Sequence, residues 1–175
     1  CVSVDLNIPE YTFSGFAPIE RVVAAKQKTV MASAKCDTPT LATLIIGVRH
    51  QPSKPERLQN LKFLLRWIDH HYGDLFDVLI VEQDDEPRIQ LDAREAKQYV
   101  RHIFIYNPQD YNRGWGYNVA VRYHCPEAKV VALMDTDVLT GPNFLRDIID
   151  CHNLVDVASP YLNIYYSNGT EVQKI

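Results

Sequence analysis

Four short apolar runs, each closed by polar residues, constrain the fold of this chain more than anything else in it. Leu41 to Val48 (LATLIIGV), Phe76 to Glu82 (FDVLIVE), His102 to Tyr106 and Lys129 to Met134 are rich in β-formers. Runs of this kind suit strands covered on both faces. Between the first two, Leu58, Leu61, Leu64, Leu65 and Ile68 recur at helical spacing. A capping box at Ser53-x-x-Glu56, with Pro55 in the first turn, is expected to open that helix, and Tyr72-Gly73 to close it. A D-x-x-E start at Asp92 predicts a short helix to about Val100. Gln83 to Pro87 and Asn107 to Gly116 read as polar loops, Tyr117 to His124 as a helix, and Thr140-Gly141-Pro142 as the opening of another through Phe144, Leu145, Ile148 and Ile149. Strands alternating with helices imply βαβ units and a mostly parallel sheet, with ligands bound beyond the carboxyl ends of the strands. This organisation covers residues 40–175; residues 1–39, punctuated by Pro9, Gly15 and Pro18, read as an N-terminal extension packed on it.

Composition narrows the function. The chain has 175 residues, 46% hydrophobic and 23% charged, with a formal charge of -4. That is enough for one domain with a real core. No basic run marks a nucleic-acid surface, and no apolar stretch approaches the roughly 20 residues of a membrane span. The chain begins at Cys1 rather than a methionine, and a piece of a longer protein is expected. Cys1, Cys36, Cys125 and Cys151 form no C-x-x-C pair. Buried or incidental thiols are the favoured reading over zinc ligands. Asn168-Gly169-Thr170 is a glycosylation sequon of a kind common by chance.

The sharpest candidate for chemistry is Asp135-Thr136-Asp137, which closes a run apolar enough for a buried central strand. In extended chain, side chains at i and i+2 share a face, so the two carboxylates can converge on one hard cation. Mg²⁺ or Mn²⁺ is commonly held by one or two carboxylates together with substrate phosphates. Arg49 follows the first strand, Arg57 sits on the first turn of the next helix, and Arg113 lies in the third post-strand loop; all three suit phosphate oxygens. Glu82, Asp84 and Asp85 follow the second strand, where a carboxylate can accept from a base or ribose; the competing reading is a solvated acidic loop. Trp115 either packs on a sugar face or pins its loop. His70-His71 are adjacent on a helix and share no face, so a favourable charge at the helix C-terminus is their expected role.

Taken in order, these pieces resemble the GT-A glycosyltransferases, in particular glycosyltransferase family 2 and the β-1,4-galactosyltransferase and chondroitin-polymerase type. The resemblance rests on Gly47-Val48-Arg49, then Arg57 to Leu61, Val81-Glu82-Gln83, Tyr111-Asn112-Arg113 through Asn118-Val119-Ala120, and Asp135 to Asp137. It covers about Leu41 to Asp150. Gly47 stands where the family has proline, and the spacing from Arg49 to Arg57 is longer than in the galactosyltransferases. The chain ends at Ile175, soon after Asp137, so the acceptor part is expected to be short or missing. The resemblance implies a Rossmann-like, mostly parallel twisted sheet with flanking helices. It also implies inverting transfer of a sugar from a nucleotide diphosphate donor, a UDP-sugar first, to a glycan or other hydroxyl acceptor. Arg49, Arg57, Glu82, Asp84, Arg113 and Asp135 would contact the donor, and Asp135 and Asp137 would hold Mn²⁺ or Mg²⁺. No catalytic base is assigned, since neither Asp156 nor Glu171 sits in a matching motif. The rivals are a non-catalytic nucleotide-sugar-binding module and a sugar-nucleotide pyrophosphorylase, although the latter's G-G-x-G-T-R loop is absent. Neither G-x-G-x-x-G nor a P-loop occurs, which disfavours a dehydrogenase or P-loop hydrolase.

Overall fold

A computed structural model describes residues 42–73, 75–125, 128–152 and 154–158. The N-terminal extension, the sequon and Glu171 lie outside these residues. The chain divides into two compact units at Leu139/Thr140, a boundary the sequence reading did not mark.

The first unit carries strands β1 (Ala42–Val48), β2 (Asp77–Asp84), β3 (Val100–Tyr106) and β4 (Val130–Met134), with helices α1 (Glu56–Tyr72) between β1 and β2 and α2 (Arg113–His124) between β3 and β4. The strands form one sheet in the order β3-β2-β1-β4, and every pairing is parallel. The expected parallel α/β sheet with helices is therefore present. Strand alternation sends Ile45, Leu79, Val81 and Ile105 to one face. There they form a core cluster with Tyr117, Val119, Ala120 and Cys125, residues of α2 and its C-terminal end. Cys125 is a buried thiol, and burial pushes its pKa up. Helix α1 buries Leu61, Leu64, Leu65 and Ile68, the stripe its periodicity predicts. The order β3-β2-β1-β4 makes the two crossovers run in opposite directions along the sheet, and the right-handed rule for such connections then sets α1 and α2 on opposite faces.

Several local expectations are corrected. The Ser53 capping box does not form. Residues 51–54 instead close a turn, with Lys54 N donating to Gln51 O at 2.8 Å, and Pro55 stands at the N-cap with no side-chain hydrogen bond. The predicted helix from Asp92 is a set of turns: the Asp92 carboxylate accepts from Arg94 N at 2.9 Å, a local bond that competes with helix. Glu95, which would have completed that box, is buried and faces Arg66 at 3.9 Å. Strand β2 runs two residues further than expected, so Gln83 and Asp84 are buried strand residues rather than loop. Helix α2 begins at Arg113 rather than Tyr117, because Asn112 caps it by accepting from Trp115 N at 2.9 Å. Strand β4 is an end strand among the described residues, and its Leu133 is 56% exposed; the expected buried central strand is not what precedes the Asp135–Asp137 segment. Gly73 ends α1 as predicted, at φ 57°, its N–H returning to Ile68 O and Asp69 O.

The second unit holds α3 (Phe144–Cys151). Phe144, Ile148 and Ile149 are half-buried while Arg146, Asp147 and Asp150 are exposed, so the helix is amphipathic.

Candidate binding cleft at the strand-order switch

From β1 the chain moves to β2 and β3 on one side, then crosses back to β4 on the other. In sheets of this kind the carboxyl ends of the two strands flanking that reversal leave a crevice. Here a cleft of about 220 Å³ lies at this point, lined by Gly47 and Val48 at the end of β1 and Arg49 after it, Arg57 and Asn60 on α1, Tyr111 before α2 and Arg113 at its start, and Asp135, Thr136 and Asp137 after β4. Five residues singled out from sequence, Arg49, Arg57, Arg113, Asp135 and Asp137, thus meet in one place although 88 positions separate the first from the last.

Each arginine is held differently. Arg49 donates to the carbonyl of Gln109, and its other guanidinium nitrogen lies 3.5 Å from Asp84. Arg113 is on the first turn of α2, 59% exposed, and pairs with Asp135 at 3.1 Å. Arg57 carries no ion pair among the described residues; with Asn60, one helical turn on, it presents one face of α1 to the cleft. Asp135 is partly exposed, Thr136 and Asp137 lie in a turn, and Asp137 is exposed. The extended-chain argument for two carboxylates on one face is therefore replaced by a turn that brings both to the same cleft wall.

The remaining sequence candidates lie behind the cleft. Glu82 is fully buried. One carboxylate oxygen accepts from Arg88 N and Ile89 N at 2.7 and 3.1 Å, and the other is 3.0 Å from His102 Nε2. It ties the 85–89 loop to the sheet and does not line the cleft. Asp84 is also buried, and one oxygen gathers Arg88, Arg49 and the amide of Asp85. Its Oδ2 is buried with no hydrogen-bond partner among the described residues, an uncommon and costly state for a carboxylate oxygen. Asp85 is exposed, and Arg88 beside it holds its carboxyl below the usual range. Trp115 packs against the core cluster and pins the helix start. His71 lies 4.1 Å from the Trp67 ring, in the last turn of α1.

Sequence reasoning missed Asn60, Tyr111 and Thr136 as cleft residues, and it missed Gln83 as the organiser of the loop above them. Gln83 Oε1 accepts from Asn107 Nδ2 and Asn112 N at 2.8 and 2.7 Å, and its Nε2 donates to Asn112 O at 2.9 Å. Asn107 in turn donates to Asp110 O and accepts from Gln109 N. This network sets the 107–112 segment that delivers Tyr111 and Arg113. The available signal was a lone amide at the end of an apolar run facing two asparagines in one loop.

A divalent cation suits this donor set: Asp137 is unpaired among the described residues, Asp135 has Arg113 on Oδ2, and Mg²⁺ or Mn²⁺ needs only one or two carboxylates when phosphates and water complete the shell. Among the described residues no group of three or more His, Cys, Asp or Glu side chains is placed to hold a metal by itself. No described helix is long and apolar enough to cross a membrane. Fold and site define a parallel α/β protein with a cleft of mixed charge at its topological switch point. Comparison with protein families, with curated proteins and with solved structures found no match.

Proposed function

We propose that this chain is the donor-binding part of a metal-dependent, inverting glycosyltransferase of GT-A type, and that the cleft takes the diphosphate of a nucleotide-sugar, a UDP-sugar first. The observation that carries this reading is the convergence of Arg49, Arg57 and Arg113 with Asp135 and Asp137 at the carboxyl ends of β1 and β4. Three cations and a pair of carboxylates match a metal-bound diphosphate: arginine binds phosphate oxygens with charge-assisted hydrogen bonds, and the carboxylates need a cation between themselves and the anion. The cleft volume, below the 300–1,000 Å³ of whole small-molecule sites, suits the diphosphate with the nucleoside reaching beyond it. Asp84 supports the cleft from behind, through its ion pair with Arg49. When bound, Mn²⁺ or Mg²⁺ supplies the Lewis acid that stabilises a departing diphosphate. The chain's own residues do the rest: Arg49 and Arg57 hold the anion, and Arg113 exchanges Asp135 for phosphate. The sugar acceptor is a glycan or other hydroxyl compound.

The test is thermal unfolding with nucleotide diphosphates, with and without Mn²⁺. Ligand at 100 times its Kd stabilises the folded state by about 2.7 kcal/mol, roughly 5–11 °C for a chain of this size. UDP with Mn²⁺ is expected to give such a shift and ADP or GDP a smaller one. Equal shifts for all three count against uridine recognition, and no shift with any of them rejects nucleotide binding.

A further inference from the structure

Gly47 and Tyr111 meet in the cleft. A Cβ built on Gly47 would lie 2.5 Å from the Tyr111 hydroxyl and 3.1 Å from Cε1 of Tyr117. A methyl group there would displace the hydroxyl, so glycine at this position leaves the space that the hydroxyl occupies. Both Gly47 and Tyr111 line the cleft, which puts the hydroxyl at its wall. The two tyrosines differ in what they do there. The Tyr117 hydroxyl donates to Met134 O at 3.0 Å and is buried, a bond that ties α2 to the end of β4. The Tyr111 hydroxyl has no hydrogen-bond partner among the described residues. Its electrostatic neighbours are Arg113, Asp135 and Arg57, and burial, the largest influence, holds its pKa above the ordinary tyrosine value. Like any tyrosine it is protonated at neutral pH, a donor with no acceptor among the described residues, in a cleft that Arg57, Arg113 and Asp135 also line.

We propose that the Tyr111 hydroxyl is a ligand-binding donor, giving its hydrogen bond to a diphosphate oxygen held between Arg57 and Arg113, and that Gly47 is the residue that leaves it room. This rests on the diphosphate reading of the cleft and adds a specificity element to it: a neutral donor beside Gly47 of β1, which a phenylalanine would not supply. The Gln83 network fixes the segment that carries Tyr111, so the donor is positioned before ligand arrives.

The experiment compares wild type, Tyr111→Phe, Tyr117→Phe and Gly47→Ala by calorimetric titration with inorganic pyrophosphate, with UDP and with uridine, each in Mg²⁺, alongside ligand-free melting. Tyr111→Phe is expected to melt within a degree or two of wild type and to lose pyrophosphate and UDP affinity equally, roughly ten- to hundredfold for one hydrogen bond to a charged acceptor. Tyr117→Phe is expected to melt lower with pyrophosphate affinity retained, which separates a ligand contact from a structural one. Gly47→Ala is expected to lower the melting temperature by roughly 2–10 °C through overpacking, and by less in the Tyr111→Phe background, where the closest clash is gone. Unchanged pyrophosphate affinity in Tyr111→Phe overturns the proposal while wild-type binding keeps the diphosphate reading. A loss confined to UDP and uridine also overturns it, assigning the hydroxyl to the nucleoside. Failure of wild type to bind pyrophosphate or UDP overturns both.

Discussion

Arg49 and Arg113 carry the same formal charge to the same cleft, yet their surroundings predict different consequences of losing them. Arg49 is half-buried between the Gln109 carbonyl and Asp84, so Arg49→Ala leaves Asp84 to Arg88 alone and is expected to lower both stability and diphosphate affinity. Arg113 is exposed and its pair with Asp135 is of the surface kind, worth about 0–1 kcal/mol; Arg113→Ala is expected to leave stability nearly unchanged. Each is expected to weaken pyrophosphate binding by about 1.5–3 kcal/mol while leaving uridine binding alone. Titration with both probes and urea denaturation of the two variants check this, and equal loss of uridine affinity in either would show that its arginine is not a phosphate ligand. These arginines were legible in the sequence because Arg49 directly follows a strand and Arg113 lies in the polar segment after one. Tyr111 was quoted there only as part of a motif, since its significance depends on a missing Cβ at Gly47, 64 residues earlier, and no local pattern encodes that contact.

At the level of elements, hydrophobic period decided what could be read. The four strands and the Leu61–Ile68 stripe follow from apolar spacing, whereas the errors arose where polar side chains choose among partners. Asn112 caps α2 and so moves Arg113 from loop to helix; Asp92 closes a local turn; Glu95 turns inward to Arg66. Gln83 is the case with the largest expected consequence. It is fully buried and makes three hydrogen bonds, so Gln83→Ala strands Asn107 and Asn112 groups and opens a void. A loss of about 2–4 kcal/mol is expected, together with weaker pyrophosphate binding because the 107–112 segment loses its anchor. Wild-type affinity in a destabilised Gln83→Ala protein would show that the network does not position the site. A smaller, pH-dependent effect belongs to α1. Asp69 accepts from the Tyr99 hydroxyl at 2.6 Å and pairs with Lys97 at 3.1 Å, and the tyrosine bond first, then the lysine, holds its carboxyl below the ordinary range. A depressed folded-state pKa contributes stability above the unfolded value that is lost as pH falls through the folded one. Tyr99→Phe is thus expected to cost up to about 1 kcal/mol near neutrality, discounted for exposure, with the gap to wild type closing below roughly pH 4, near the unfolded carboxylate value. Denaturation midpoints of the two proteins across pH 2.5 to 7 read this directly, and a gap that persists at the acid end would contradict it.

Across the whole molecule, the formal charge is -4, so an anionic ligand approaches against the average field and must be drawn by the local one. In the cleft that local field is divided. Arg57 is unpaired among the described residues, Arg49 and Arg113 are partly neutralised by Asp84 and Asp135, and Asp137 faces the same space with no ion pair among the described residues. A diphosphate entering alone meets one free cation, two shared ones and a bare carboxylate. On the proposed reading, a divalent cation held by Asp137 would turn that repulsion into attraction, and Asp135 would be free to give up Arg113 to the ligand. Asp137 is exposed, so its charge weighs on what approaches the cleft rather than on folding. Asp137→Asn is accordingly expected to leave the unliganded melting temperature within about 1–2 °C of wild type, as for an exposed surface change. It is also expected to remove the Mn²⁺-dependent gain in UDP affinity. Metal-free UDP binding should stay equal or become slightly tighter, because the repelling charge is gone. Titration of UDP into wild type and Asp137→Asn, in Mn²⁺ and then in EDTA, separates the two contributions. If the variant kept the full Mn²⁺-dependent increment, Asp137 would not be a metal ligand, and the case for a metal-dependent transferase would rest on the arginines alone.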